Sequence, residues 1–132
     1  MNLILNLLAA ALPIVFTSAA FAGVCGNSPE YACNVLPRGG KDVGRITLCG
    51  NPVSNEYTAI LVRGEPQAVR PGATSPVYQY LFDRRTGAPT LAIETVNPFD
   101  SYDWFEMSVY GADHIVLGSR RIARYRCERA TN

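Results

Sequence analysis

The amino-acid sequence predicts an all-β protein: a small antiparallel β-sandwich or barrel of about seven to eight strands, held by two disulfides. Three observations carry that expectation. Beyond residue 22, apolar residues recur at every second position in one segment after another. These segments are rich in β-branched and aromatic side chains, and breaks containing Gly or Pro separate them at intervals of roughly 8–12 residues. Four cysteines, an even number, all lie past residue 22. No segment of that region keeps a helical period over three turns.

Met1–Ala22 carries no charged side chain and is almost unbroken apolar from Leu3 to Phe16. Small residues follow, and Ala20-Phe21-Ala22 supplies the small-x-small pattern of a signal-peptidase site. The expectation is a cleaved signal peptide over residues 1–22, with Gly23 as the mature start. The alternative is an uncleaved anchor, which the segment is long enough to form. Pro13 and the small-residue end fit cleavage better, although the leading residues lack Lys and Arg. Lipidation at Cys25 would require a small residue before it, and Val24 stands there. The expected product is a periplasmic or secreted chain, residues 23–132, without a stable membrane span. Its 110 residues (132 less 22) suit a single β domain.

The strands follow in order. Tyr31, Cys33 and Val35 share one side of an extended segment, although a short helix near Ser28–Cys33 is an alternative. Val43–Cys49 places Ile46 and Leu48 on one face, and Tyr57–Arg63 is apolar on both, as a central strand would be. Gly64–Pro76, with Pro66, Pro71 and Pro76, reads as the longest loop. Val77–Asp83 sets Tyr78, Tyr80 and Phe82 together, and aromatic rows of this kind usually pack into a core. The turn Arg84-Arg85-Thr86-Gly87 leads to Leu91–Val96, and Asn97–Asp103 forms the next longest loop. Trp104–Tyr110 turns through Gly111-Ala112-Asp113 into a strand at His114–Leu117. Ile122–Cys127 closes the fold, with Ala123, Tyr125 and Cys127 inward and Arg124 and Arg126 outward.

Cys33 and Cys49 flank the turn-rich stretch Arg38–Asp42 symmetrically. A hairpin there would pair them and leave Cys25 with Cys127. Those bridges, closing loops of about 15 and about 100 residues, are worth roughly 3 and 4.7 kcal/mol in the chain-entropy model. The competing pairing is Cys25 with Cys33 and Cys49 with Cys127. No cysteine or histidine spacing suggests zinc.

Charge excludes one class of function. Twelve basic residues nearly balance eleven acidic ones, unlike a general nucleic-acid binder. Only Lys41 is lysine; the other basic residues are arginine, whose planar fork suits carboxylates. Catalytic candidates are sparse. His114 is the only histidine and has no sequence-evident nucleophile or orienting partner, so it reads as a surface or strand-edge residue. Glu94, Glu106 and Asp103 could in principle supply a carboxylate pair, but such residues are usually solvated strand positions. No phosphate loop, nucleophile elbow or metal motif occurs, and no cofactor is expected. The Cys25–Cys33 spacing and Gly111–His114 are similar to stretches of fungal guanyl-specific ribonucleases. Those enzymes use two histidines and a glutamate, and the match is read as chance.

Lys41-x-Val43 through Leu48-Cys49, the Tyr57–Arg63 strand, Tyr78-x-Tyr80 with Phe82, Gly87-Ala88-Pro89 and the closing Ile122–Cys127 together resemble a group of small bacterial periplasmic proteins. The resemblance implies an exported, disulfide-bonded β protein. The nearest functional neighbours of that architecture are the periplasmic lysozyme inhibitors, which insert a loop into an acidic cleft. Their Ser-Gly-x-x-Tyr element has no counterpart here: Pro71–Tyr78 holds those residue types in another order.

The leading expectation is therefore a non-enzymatic inhibitor or binding domain for a secreted or periplasmic protein, such as a lysozyme-like cell-wall hydrolase or an amidase. Loop 64–76 with Arg84 and Arg85 would meet the partner. The candidate contact residues are Arg70, Ser75, Arg84, Arg85, Ser119, Arg120 and Arg121. A carbohydrate- or envelope-binding module, using Tyr78, Tyr80, Phe82, Trp104 and Tyr110, is the alternative, and a small secreted hydrolase acting through His114 is a third.

Overall fold

The computed structural model describes residues 23–72, 78–96 and 103–130. The expected signal peptide over residues 1–22, Ser75 and residues 97–102 lie outside the described residues. Eight strands run in chain order: β1 (Glu30–Gly40), β2 (Ile46–Asn51), β3 (Glu56–Val62), β4 (Glu65–Pro71), β5 (Tyr78–Asp83), β6 (Pro89–Val96), β7 (Trp104–Gly111) and β8 (Arg121–Arg129). A single-turn helix, α1 (His114–Leu117), joins β7 to β8. Each strand pairs antiparallel with the next, and β8 returns to β1, so the sheet closes into a barrel. Of the two expected architectures, the barrel is the one formed.

Alternation puts one row of each strand inside. Tyr31, Ile46, Leu48, Ile60, Leu81, Leu91, Ile93, Phe105, Met107, Val109 and Tyr125 fill the interior, with Tyr31 and Phe105 edge to face at 5.1 Å. An eight-stranded barrel has an interior that side chains of this size just fill. Burying each large aliphatic side chain contributes about 1.5–3 kcal/mol. Ala123, Tyr125 and Cys127 point inward, as their alternation predicts.

Both expected cysteine pairings are corrected. The bridges are Cys25–Cys49 and Cys33–Cys127. The β1–β2 register sets Cys49 against Glu30 and Cys33 against Ile46. Cys33 and Cys49 are thus three residues out of step and on opposite faces, because a strand alternates with period two. Cys33 instead lies directly across from Cys127 of β8 and bridges to it inside the barrel. Cys49 faces outward, where Cys25 and the segment leading into β1 cover it. The Gly50 amide bonds to the Pro29 carbonyl, and Ser28 meets Thr58 at 3.0 Å.

Two strand boundaries are also corrected. The supposed loop 64–76 contains β4, whose inward Val69 packs on the core. Its prolines disguise it. The ladder from β4 to β3 holds only two residue pairs, Leu61 with Pro66 and Val62 with Glu65, so few amide donors are needed on that edge. The supposed strand His114–Leu117 is α1, ended by Gly118 at φ 62°, ψ 41°. One helical turn is too short for a period to be read. The alternative helix near Ser28–Cys33 is absent: residues 24–27 form a turn and β1 begins at Glu30.

Candidate functional site

An up-and-down barrel sorts its connections to two ends. One end holds the β1–β2, β3–β4, β5–β6 and β7–β8 connections. The other, the mouth, holds the start of β1, the β2–β3 connection and the end of β8.

The first end is closed. Tyr125 is fully buried inside the barrel, and its hydroxyl meets the β1–β2 connection. That hydroxyl accepts from the Val43 amide at 2.8 Å and donates to the Gly44 carbonyl at 2.8 Å, with Asp42 Oδ1 at 3.3 Å. Burial, and secondarily the Asp42 carboxylate, raises the Tyr125 phenol above its ordinary pKa. Arg63 ties the neighbouring turn to the same loop through Nε to the Val43 carbonyl, 3.0 Å. Gly40 permits the close approach of β1 to β8: at φ 107°, a Cβ there would collide with the Ile122 carbonyl.

This closed end is where arginine concentrates. Arg38, Lys41, Arg45, Arg63, Arg84, Arg85, Arg120 and Arg121 all sit on its connections or beside them, and all are exposed. These are eight of the chain's twelve basic residues. The acidic residues there are Asp42, Glu65, Asp83 and Asp113. Three of these four carboxylates are turned into their own loops. Asp42 accepts from the Gly44 amide (2.8 Å), and Asp113 accepts from the Ser119 hydroxyl (2.9 Å). Asp83 accepts from the Arg85 and Thr86 amides (2.8 and 3.1 Å), and these two amides hold its carboxyl below the usual range. Among the described residues, the two ion pairs are Arg124–Glu106 and Arg126–Glu128, both on the barrel wall. The arginines of the closed end take part in neither.

The sequence-derived contact residues therefore divide. Arg84, Arg85, Ser119, Arg120 and Arg121 share the closed end. Arg70 instead stands on the outer wall of β4, its guanidinium 4.6 Å above the Phe82 ring. Most of loop 64–76 is strand β4, and its residues 73–76 lie outside the described residues. What sequence reasoning missed is the contribution of Arg38, Lys41, Arg45 and Arg63, which only the barrel topology gathers. The alternation of connections between two ends was the signal available.

The aromatic row is a second correction. Tyr78, Tyr80 and Phe82 face outward, because Gln79 and Leu81 take the inward positions opposite Ile93 and Leu91. Tyr78 lies edge-on to Tyr110 at 5.7 Å, and His114 stacks on Tyr110 at 4.2 Å. His114 Nδ1 is 2.7 Å from the Ser119 carbonyl, so this histidine braces α1 against the wall. The Tyr110 hydroxyl donates to Glu94 at 2.9 Å; burial first, then Glu94, raises its pKa. Glu106 is engaged by Arg124. Trp104 is 46 % exposed with the Arg126 guanidinium 4.2 Å above its ring. Among the described residues, no cluster of three or more His, Cys, Asp or Glu is arranged to hold a metal.

Among the described residues the mouth is differently charged, with Glu30, Glu56 and Asp103, Glu128 paired to Arg126, and Arg129. A cleft of about 440 Å³ enters there, lined by residues 54–58 of the β2–β3 connection and β3, by Val69 and Pro71 of β4, and by Gln79 of β5. Among the described residues, no helix is long and apolar enough to cross a membrane. No match was found among protein families, curated proteins or solved structures.

Proposed function

We propose that this chain is an exported, non-enzymatic binding protein whose arginine-rich end docks into an acidic cleft of a secreted or periplasmic protein, as an inhibitor of a cell-wall hydrolase would. One observation carries the reading: four connections gather eight exposed cations at the closed end, while three of the four nearby carboxylates are occupied within their own loops. A closed end with exposed guanidinium groups suits a concave partner lined by carboxylates. Arginine binds carboxylates bidentately, and such pairs are strong once desolvated. Two disulfides fit an oxidising compartment, and the signal-like leader fits export. The resemblance to small periplasmic β proteins supports the same class.

The test is capture of the oxidised protein on immobilised lysozymes and amidases, with hydrolase activity measured at excess protein. Arg84→Glu with Arg85→Glu, and Arg120→Glu with Arg121→Glu, should each weaken capture and inhibition by tenfold or more, about 1.4 kcal/mol. Their folding stability should stay within about 0.5 kcal/mol. Recovery of no hydrolase, with no loss of activity, would remove this reading.

The outward aromatic row favours a second reading, a carbohydrate- or envelope-binding module. Tyr78, Tyr80 and Phe82 lie outside the core, and Trp104 is exposed. Co-sedimentation with peptidoglycan that is lost in Trp104→Ala and Tyr80→Ala, but not in the arginine variants, would favour the module.

A further inference from the structure

Closed eight-stranded barrels can hold a small ligand at an end where side chains do not fill them. At the mouth of this barrel a cleft lies among the described residues, for reasons that lie in three local features.

The first is a gap in the wall. β3 and β4 each have seven residues, yet their ladder ends after two pairs, at the closed-end side. Towards the mouth the facing edges of these strands run on without ladder partners, and the cleft lies between Tyr57 and Thr58 on one side and Val69 and Pro71 on the other. The second is a preset connection. Asn51 Oδ1 accepts from the Val53 and Ser54 amides (3.0 and 3.4 Å), and the turn delivers Asn55 at φ 58°. Asparagine tolerates that left-handed geometry better than most residues. Asn55 Oδ1 then accepts from the Thr95 hydroxyl at 3.1 Å, across the mouth from β6. Its amide nitrogen, a two-proton donor, has no partner among the described residues. The third is a buried hydroxyl. The β2–β3 register shifts between Cys49 and Gly50, where Gly50 takes φ 142° and sets Tyr57 inward. The Tyr57 hydroxyl is buried without a hydrogen-bond partner, the one such side-chain atom among the described residues. Burial raises its pKa, and the nearby Thr95 hydroxyl works against that rise.

We propose that this mouth binds a small neutral saccharide, one carrying hydroxyl and amide groups. The size of the cleft falls within the range of about 300–1,000 Å³ that small-molecule sites occupy. Among the described residues the lining contains amides and hydroxyls from Asn55, Gln79, Ser54 and Thr58, one carboxylate from Glu56, and no Lys, Arg or His. Anionic ligands are therefore disfavoured. Val69, Pro71 and the Tyr57 ring offer an apolar wall to the C–H face of a sugar ring, while the amides meet its hydroxyl edge. This site lies at the opposite end from the arginines and does not rest on the inhibitor reading.

The test is an NMR titration of the oxidised full chain with N-acetylglucosamine, its β-linked disaccharide and maltose, and with glucose 6-phosphate as an anionic control. The expected result is saturable shifts of the Asn55, Gln79 and Thr95 amides with at least one neutral sugar and none with the phosphate. Val69→Trp, which fills the cleft, should abolish the shifts. Asn55→Ala should weaken binding about tenfold, the loss of one well-made hydrogen bond. Both variants should keep the wild-type circular dichroism spectrum. If Val69→Trp does not fold, Asn55→Ala alone decides. The proposal is overturned by the absence of saturable binding, by binding that survives both substitutions, or by shifts confined to the outer row Tyr78, Tyr80 and Phe82.

Discussion

The two ends of the barrel each contain an inward tyrosine, and these two residues have opposite circumstances. Tyr125 reaches the β1–β2 connection, and its hydroxyl both accepts and donates at 2.8 Å. Tyr57 points inward near the mouth, and its hydroxyl has no partner. Burial raises both phenols above the ordinary range, but only Tyr125 is compensated by a backbone donor, the Val43 amide. The lesson is that the inward hydroxyl is satisfied at one end of the barrel and left unmet at the other. At the closed end, Asp42 and the Tyr125 hydroxyl hold the β1–β2 connection, which carries Lys41 and Arg45. The mouth keeps a cleft and a buried hydroxyl with no partner, the features on which the ligand proposal rests.

The largest effect should come from the bridges. Cys33–Cys127 joins β1 to β8 across 94 residues of chain, and it closes the seam that makes both ends possible. Replacing both cysteines with alanine should cost about 4–5 kcal/mol in the chain-entropy model. Cys25–Cys49 spans 24 residues and fastens the leading segment outside the wall on the mouth side. Its removal should cost less, about 3 kcal/mol. Denaturant unfolding of the two double variants checks the order. A larger loss for Cys25–Cys49 would mean that the mouth, not the seam, dominates stability.

Next in size is the pair of tyrosine substitutions. Tyr125→Phe strands a buried amide and a carbonyl of the closed end, so it should destabilise by about 1–3 kcal/mol. Tyr57→Phe removes a hydroxyl that has no partner, so it should be neutral or stabilising by up to about 1 kcal/mol. Opposite signs in matched urea titrations would confirm that the ends differ in polar satisfaction. A loss of about 2 kcal/mol from Tyr57→Phe would place a structural partner on that hydroxyl and weaken the case for an open site.

The same comparison explains what could be read in the sequence. The period-two pattern of β2 grouped Ile46 and Leu48 on one face, and that of β8 identified its inward row, because an interior-facing residue must be apolar and its neighbours need not be. Ala123, Tyr125 and Cys127 were legible for that reason. β5 was misread because both of its faces carry large side chains: Gln79 goes inside, while Tyr78, Tyr80 and Phe82 cover the wall outside. Aromatic content alone does not say which face is the core. The eight expected strands match the eight observed in number but not in identity, since Pro66 and Pro71 hide β4 and the single turn of α1 reads as a strand. The bridges were missed because cysteine pairing depends on register. The expected hairpin centre differs from the real one by enough to turn Cys33 and Cys49 to opposite faces. The arginines of the closed end lie far apart in sequence, and they become one surface only when successive connections alternate between ends.

The smallest effect separates the ends by pH. The Asp83 carboxylate is the acceptor that holds the β5–β6 turn, and with it Arg84 and Arg85. The Thr86 and Arg85 amides stabilise its charged form and lower its pKa in the folded state. A depressed carboxyl pKa gives stability that is present above the unfolded value and is lost as pH falls through the folded value. Acidification below the usual aspartate range should therefore loosen this turn while leaving the Asn51-held turn at the mouth intact, since that acceptor is an uncharged amide. An NMR titration of the Asp83 carboxyl, followed beside the Thr86 and Val53 amides, makes the measurement. Asp83 should titrate below the ordinary aspartate value, Thr86 should follow it, and Val53 should not move with either. A normal Asp83 midpoint, or a Val53 amide that tracks it, would show that the two turns are not held by different chemistry.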